Sequence, residues 1–277
     1  MTGRLYLDAV QEGRGERHLV FIHGFGASRF TWRLWREPLR QSYRLHLLDL
    51  KGFGTSARPR DGAYAPRDLA DEVVRYILGE GLEEFAVVGH SMGGGIALFV
   101  SLALQDLERS TPQALVLVGA AAYPQAIPAL ISLARWPLLG AVGLSLIPSR
   151  TLVRLGLRSA YGPRHELSHE AVEGYAAGFR QRRGKWAMRQ VAAQIVPDDL
   201  EQVMGRYPSI DVPTLLLWGD QDRVVPPWVG ERLHGELPES ELAVVPNCGH
   251  VVPEEAPTAS LRLLNRFLGI HFPSGTG

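Results

Sequence analysis

The chain has 277 residues, a length that suits two domains or one α/β domain carrying an insertion. Hydrophobic residues make up 45% and charged residues 21%, which excludes wholesale disorder. Lys+Arg and Asp+Glu balance at 29 each, so no basic surplus exists to neutralise phosphates and no nucleic-acid partner is expected.

In chain order, Met1 to Asp8 lacks the apolar core of a signal peptide, and a cytoplasmic protein is expected. His18–His23 (HLVFIH), Tyr43–Leu50 (YRLHLLDL), Phe85–His90 (FAVVGH) and Ala114–Gly119 (ALVLVG) are short, apolar runs that predict buried strands. Between them, Pro66–Leu78 places Leu69, Val73, Tyr76 and Ile77 on one helical stripe, with Pro66 in the first turn. Met92–Leu104 is patterned similarly. From about Ala121 to Arg206 the alternation stops, and helical segments such as Ala171–Phe179 and Lys185–Ile195 take over. Thr214–Trp218 and Leu242–Val245 resume the strands, and Pro253–Leu268 predicts a last helix. Alternating strands and helices predict a mostly parallel sheet with helices on both faces. Residues 1–120 and 206–277 would form this core. Residues 121–205 would form a helical cap over the carboxyl ends of the strands, where open α/β sheets bind ligands.

The apolar stretch Ile127–Pro148 is long enough to span a bilayer. Arg135 in its middle would cost about 3 kcal/mol on insertion scales, and Pro137 breaks the helix. A cap over an apolar pocket, rather than a stable membrane span, is therefore expected.

Gly89-His90-Ser91-Met92-Gly93 is a G-x-S-x-G sequence between a predicted strand and a predicted helix. A sharp turn there lifts the serine hydroxyl clear of the sheet, and the flanking glycines leave room for it. A serine is a weak nucleophile without a base, and the base needs an orienting acid. Beyond Thr214–Trp218 lies Gly219-Asp220-Gln221-Asp222, and beyond Leu242–Val245 lies Pro246-Asn247-Cys248-Gly249-His250. The order Ser, Asp, His, each past a strand's carboxyl end, makes Ser91, Asp222 and His250 candidate catalytic residues, with Asp220 as the other possible acid. The glycine-rich His23-Gly24-Phe25-Gly26 can present the Phe25 backbone N–H. With the Met92 N–H it would form an oxyanion hole.

These pieces resemble the α/β-hydrolase family, in its cap-bearing serine esterase form. The matching segments are HGFGAS, DLKGFGTS, GHSMGG, WGDQDRVVP and PNCGHVVPEEAP. The resemblance favours Asp222 over Asp220, because the family's acid precedes x-x-V-P. It also implies that Asp49–Ser56 is a structural turn. It argues against epoxide hydrolases and haloalkane dehalogenases, which use aspartate where this chain has Ser91. Val251 after His250, and His90 before Ser91, depart from the usual carbon–carbon bond hydrolase pattern.

Two further motifs lack their context. Gly52-Phe53-Gly54-Thr55-Ser56-Ala57 matches a dinucleotide fingerprint, but Arg58-Pro59-Arg60-Asp61-Gly62 cannot open the required helix. His165-Glu166-Leu167-Ser168-His169 is a literal H-E-x-x-H. Ser168 reads as a helix N-cap with Leu167 and Val172 as a hydrophobic staple, which leaves His165 outside the helix. The lone Cys248 excludes an intramolecular disulfide and a cysteine-built zinc site, and reads as a small buried hydrophobe. No metal and no cofactor is expected. The expected partner is a small-molecule ester of short-to-medium acyl chain, cleaved through an acyl-enzyme on Ser91, with Trp136, Leu138 and Leu139 lining the pocket. The alternatives are carbon–carbon hydrolysis or cofactor-free perhydrolysis on the same residues, and a non-catalytic ligand receptor.

Overall fold

The computed structural model describes residues 4–274, apart from the side chains of residues 137–141. Seven strands form one sheet. They are β1 (Asp8–Glu12), β2 (His18–Ile22), β3 (Arg44–Asp49), β4 (Phe85–His90), β5 (Ala114–Val118), β6 (Thr214–Gly219) and β7 (Ser240–Val245), in the order β1-β3-β2-β4-β5-β6-β7. Only β1 runs antiparallel, against β3; the remaining neighbours are parallel. This is the predicted mostly parallel sheet.

Period-two alternation along the buried strands builds two cores. Val20, Ile22, Val87, Leu115, Leu117 and Leu216 face helices α2 (Pro66–Gly79) and α3 (Met92–Asp106). Leu19, Phe21, Val88, Val116 and Leu217 face α1 (Arg33–Leu39) and the carboxyl-terminal helices. Because both faces are covered, strands β2, β4, β5 and β6 read as continuous apolar runs. β1 was not anticipated. Its sequence, Asp8-Ala9-Val10-Gln11-Glu12, is a half-exposed edge strand whose polar residues carry no buried-strand signal.

Every regular element between β5 and β6 is helical among the described residues. α4 (Ala129–Arg135) and α5 (Pro137–Leu146) divide the long apolar stretch, and α5 begins at the expected break, Pro137. No helix among the described residues is long and apolar enough to cross a membrane. Then come α6 (Ser149–Ala160), α7 (His169–Arg180), α8 (Gly184–Ala193) and α9 (Leu200–Met204). The Ser168 hydroxyl accepts from the Ala171 N–H at 3.0 Å, so α7 starts at His169 and His165 stays outside it, as expected. Leu167 and Val172 share one apolar cluster, as the staple requires. α10 (Pro227–Glu236) joins β6 to β7, and the predicted last helix is two elements, α11 (Val252–Glu255) and α12 (Pro257–His271). The break is Ala256, whose non-helical backbone (φ −137°, ψ 56°) precedes Pro257, a residue that disfavours helix before it.

Two structural readings of motifs hold. Asp49 accepts the backbone N–H groups of Arg29 and Thr55, both at 2.8 Å, and ties down the turn after β3. No helix follows Gly52–Ala57 until α2.

Candidate active site

Ser91 sits between β4 and α3 with φ 57° and ψ −122°, a left-handed backbone that costs a non-glycine residue energy. Its neighbours hold it there. The Ser91 N–H donates to the Val118 carbonyl at 2.9 Å, and its own carbonyl accepts from Gly94, Gly95 and Ala121. A Cβ at Gly89 would lie 2.4 Å from the Gly93 carbonyl oxygen, and one at Gly93 would lie 2.2 Å from the Ile22 carbonyl oxygen. The two glycines are therefore steric requirements of the turn.

His250 and Asp222 meet from adjacent strand ends. The His250 Nδ1–H donates to Asp222 Oδ2 at 2.7 Å, and both side chains are buried. The other Asp222 oxygen accepts the Val224 and Val225 N–H groups, each at 2.8 Å, which fixes the carboxylate plane. With Nδ1 committed, Nε2 remains to act on a substrate or nucleophile. Asp220 is exposed and accepts the Cys248 N–H at 3.1 Å, so it braces the turn and does not meet His250. Cys248 is buried, and burial pushes its thiol pKa well up, against the thiolate a nucleophile needs.

Two histidines outside the candidate catalytic set, His23 and His90, support these groups. His23 Nδ1–H donates to the Gly24 carbonyl at 2.8 Å, and its Nε2 accepts the Leu50 N–H at 3.0 Å. Burial lowers its pKa, so the neutral ring can hold both bonds. The Ala27 N–H also donates to the Gly24 carbonyl, which completes a tight turn around Phe25. His90 donates Nε2–H to the His250 carbonyl at 3.0 Å. Burial first, and His250 second, push its pKa down to about 3. Among the described residues neither the Phe25 N–H nor the Met92 N–H has a protein acceptor. A Cβ at Gly24 would lie 2.9 Å from Ser91 Cβ, so the Phe25 turn and the serine are immediate neighbours.

Ser91 lines two neighbouring cavities. One, of 190 Å³, is lined by Met92, Gly95, Phe99, Tyr123, Ile195 and Tyr207 among others. The second, of 160 Å³, includes Gly24, Leu130, Gly156, Leu157, His250 and Val251. Phe25, Ser91, Pro128, Ile131 and Val224 line both. Among the described residues no Lys, Arg, Asp or Glu lines either cavity. Trp136 does not line the pocket, contrary to expectation. It is 60% exposed at the α4–α5 junction, where its extended backbone turns the ring outward to solvent. The side chains of Leu138 and Leu139, the other expected lining residues, lie outside the described residues.

Residues 19–262 match the model of the alpha/beta hydrolase family, and the chain belongs to that family. An uncharacterized hydrolase, YugF, of Bacillus subtilis is 31% identical over 247 residues, covering 88% of this chain and 86% of the relative. A 2-hydroxy-6-oxononadienedioate/2-hydroxy-6-oxononatrienedioate hydrolase of Cupriavidus pinatubonensis is 29% identical, covering 93% of this chain and 88% of its own. An alpha/beta hydrolase fold protein from Burkholderia ambifaria superposes with a TM-score of 0.81 at 25% identity, covering 93% of each chain.

Proposed function

We propose that this hydrolase cleaves uncharged carboxylic esters through an acyl-enzyme on Ser91. The observation that carries the reading is a strained serine facing the same cavity as His250, a histidine whose Nδ1–H is held by Asp222. His250 Nε2 takes the Ser91 proton as the oxygen attacks the carbonyl carbon, and Asp222 stabilises the imidazolium. The Phe25 and Met92 N–H groups receive the oxyanion. As the tetrahedral adduct collapses, the bond from carbon to the alcohol oxygen breaks and His250 protonates the leaving alcohol. Water repeats the sequence on the acyl-enzyme and frees the acid and Ser91. These steps require no cofactor. Residues 121–205 act as a cap that keeps water from the reacting groups, over a core of residues 1–120 and 206–277.

The two cavities take the two halves of the ester. The leaving oxygen must reach His250, which lines only the 160 Å³ lobe, so that lobe takes the alcohol and the 190 Å³ lobe takes the acyl chain. Cavities of roughly 150 Å³ hold a benzene ring, so each lobe suits a group of about that size. Carbon–carbon hydrolysis on the same residues is the second reading, motivated by the 29% identity to a dienedioate hydrolase. A dienedioate carries two carboxylates. A lining without a cation would leave them unpaired, which favours the uncharged ester.

The test compares p-nitrophenyl esters from acetyl to palmitoyl with a dienedioate and a perhydrolysis substrate, for the wild type and Ser91→Ala. The reading expects ester turnover to dominate and to fall by on the order of 10⁶ in Ser91→Ala. Ester turnover kept by Ser91→Ala would overturn it. A wild type that binds but cleaves nothing in the panel would mark a ligand receptor instead.

A further inference from the structure

The loop that carries His250 is held from outside itself. Three successive N–H groups, of Gly249, His250 and Val251, all need acceptors in a part-buried loop. Glu255 supplies two of them: its Oε2 accepts from Gly249 at 2.9 Å and its Oε1 accepts from Val251 at 2.9 Å. The middle N–H, that of His250, donates to the Ala160 carbonyl at 2.8 Å. Glu255 Oε2 also accepts the Gly162 N–H at 2.7 Å, so one carboxylate joins the base's loop to the segment after α6. The two backbones touch directly. A Cβ at Gly249 would lie 2.3 Å from the Gly162 nitrogen and 2.6 Å from the Ala160 oxygen. The neighbouring Glu254 anchors the same segment to the core. It is buried, pairs with Arg33 at 2.5 Å and accepts the hydroxyls of Tyr161 and Tyr175.

We propose that Glu255 is a positioning residue for His250, and that Ala160–Gly162 forms the other half of a clamp on the base. This rests on the reading of His250 as the base. The clamp makes a carboxylate outside the Ser91–His250–Asp222 set necessary for the direction in which Nε2 points. It also ties the α6–α7 side of the helical segment to the catalytic loop, so the two move together. Neither effect follows from the triad alone. Gln at position 255 can keep part of the clamp through its oxygen, but its NH₂ group then faces an N–H donor.

The experiment uses the full chain carrying Glu255→Ala, Glu255→Gln or, as a control remote from the site, Glu241→Gln. Ester kinetics are read beside the downfield NMR resonance of the His250 Nδ1 proton. A 1 Å misplacement at an active site can cost on the order of 10² in rate. Glu255→Ala should therefore lose on the order of 10² in kcat with KM within about threefold, and Glu255→Gln should lose less. In both variants the resonance should move or broaden, and Glu241→Gln should match the wild type. If Glu255→Gln and Glu255→Ala keep wild-type kcat and an unmoved resonance, the proposal is wrong. A kcat loss with an unmoved resonance also overturns it, since the residue would then be merely structural. If the wild type turns over no ester while the resonance still moves in Glu255→Ala, the ester reading fails and the clamp stands.

Discussion

Replacing Gly156 with Leu should narrow the choice of alcohol without damaging the chemistry. Gly156 lies in α6 and lines the lobe that also holds His250. Among the described residues an added Cβ there meets Leu130 Cδ2 alone, at 3.9 Å, so a larger side chain enters the 160 Å³ space without a clash at its first carbon. Each buried methylene contributes about 0.8 kcal/mol. A leucine that displaces two or three carbons of the leaving group should therefore cost about 2 kcal/mol in transition-state binding, or roughly 30-fold in kcat/KM. Leu is a better helix former than Gly by up to about 0.8 kcal/mol, so the fold should hold or gain stability. The assay compares kcat/KM for methyl and benzyl butyrate and follows urea unfolding. Benzyl butyrate should fall roughly 30-fold while methyl butyrate changes little. An equal fall for both esters would refute the assignment of this lobe to the alcohol.

Gly249→Ala must push the base loop and residues 160–162 apart by about 1 Å to relieve its contacts, and kcat should fall on the order of 10²; turnover within a few-fold of wild type would contradict the packing described. Asp222→Asn should lose about 10⁴ in kcat, by the precedent of a mispaired catalytic histidine. Asp220→Asn, which touches only the turn, should lose far less, and steady-state kinetics giving the reverse order would move the orienting role to Asp220. Acid should destabilise the fold early. Burial first, then His18 and Arg44, pushes His46 down to about 4, and His90 is pushed down to about 3. Both are neutral when folded and take up a proton near pH 6.5 when unfolded, so their stability is complete above that value. It is lost as pH falls from 6.5 toward 4 for His46 and toward 3 for His90, at about 1.4 kcal/mol per pH unit each. Urea unfolding at pH 5 should give a free energy several kcal/mol below that at pH 7.5; equal values would exclude neutral histidines as a source of stability.

Strands β2, β4, β5 and β6 were legible because burial on both faces leaves mostly apolar sequence; β7 was legible from Leu242–Val245 although it is a half-exposed edge and not the expected buried strand, whereas β1 was hidden by its polar edge. The candidates Ser91, Asp222 and His250 stand out because each lies past a strand's carboxyl end inside a short local motif, and the structure brings Asp222 and not Asp220 onto His250. The pocket was not legible in the same way. Its lining depends on how α4 packs on α8 and where α6 lies beside them, so apolar composition alone could not separate inward Leu130 and Ile131 from outward Trp136. The role of Glu255 was equally hidden. Its motif, Pro253-Glu254-Glu255, stands in plain view beside His250, but its partner Gly162 lies 93 residues away and only tertiary contact joins them.

The proposed activity rests on acylation of Ser91 by an ester. The direct measurement is rapid-quench turnover of p-nitrophenyl butyrate with mass spectrometry of the proteolysed protein. A burst of nitrophenol and a butyryl adduct on the peptide that carries Ser91 are expected, both absent from Ser91→Ala. Steady ester turnover with no adduct in the wild type, and unchanged turnover in Ser91→Ala, would contradict it.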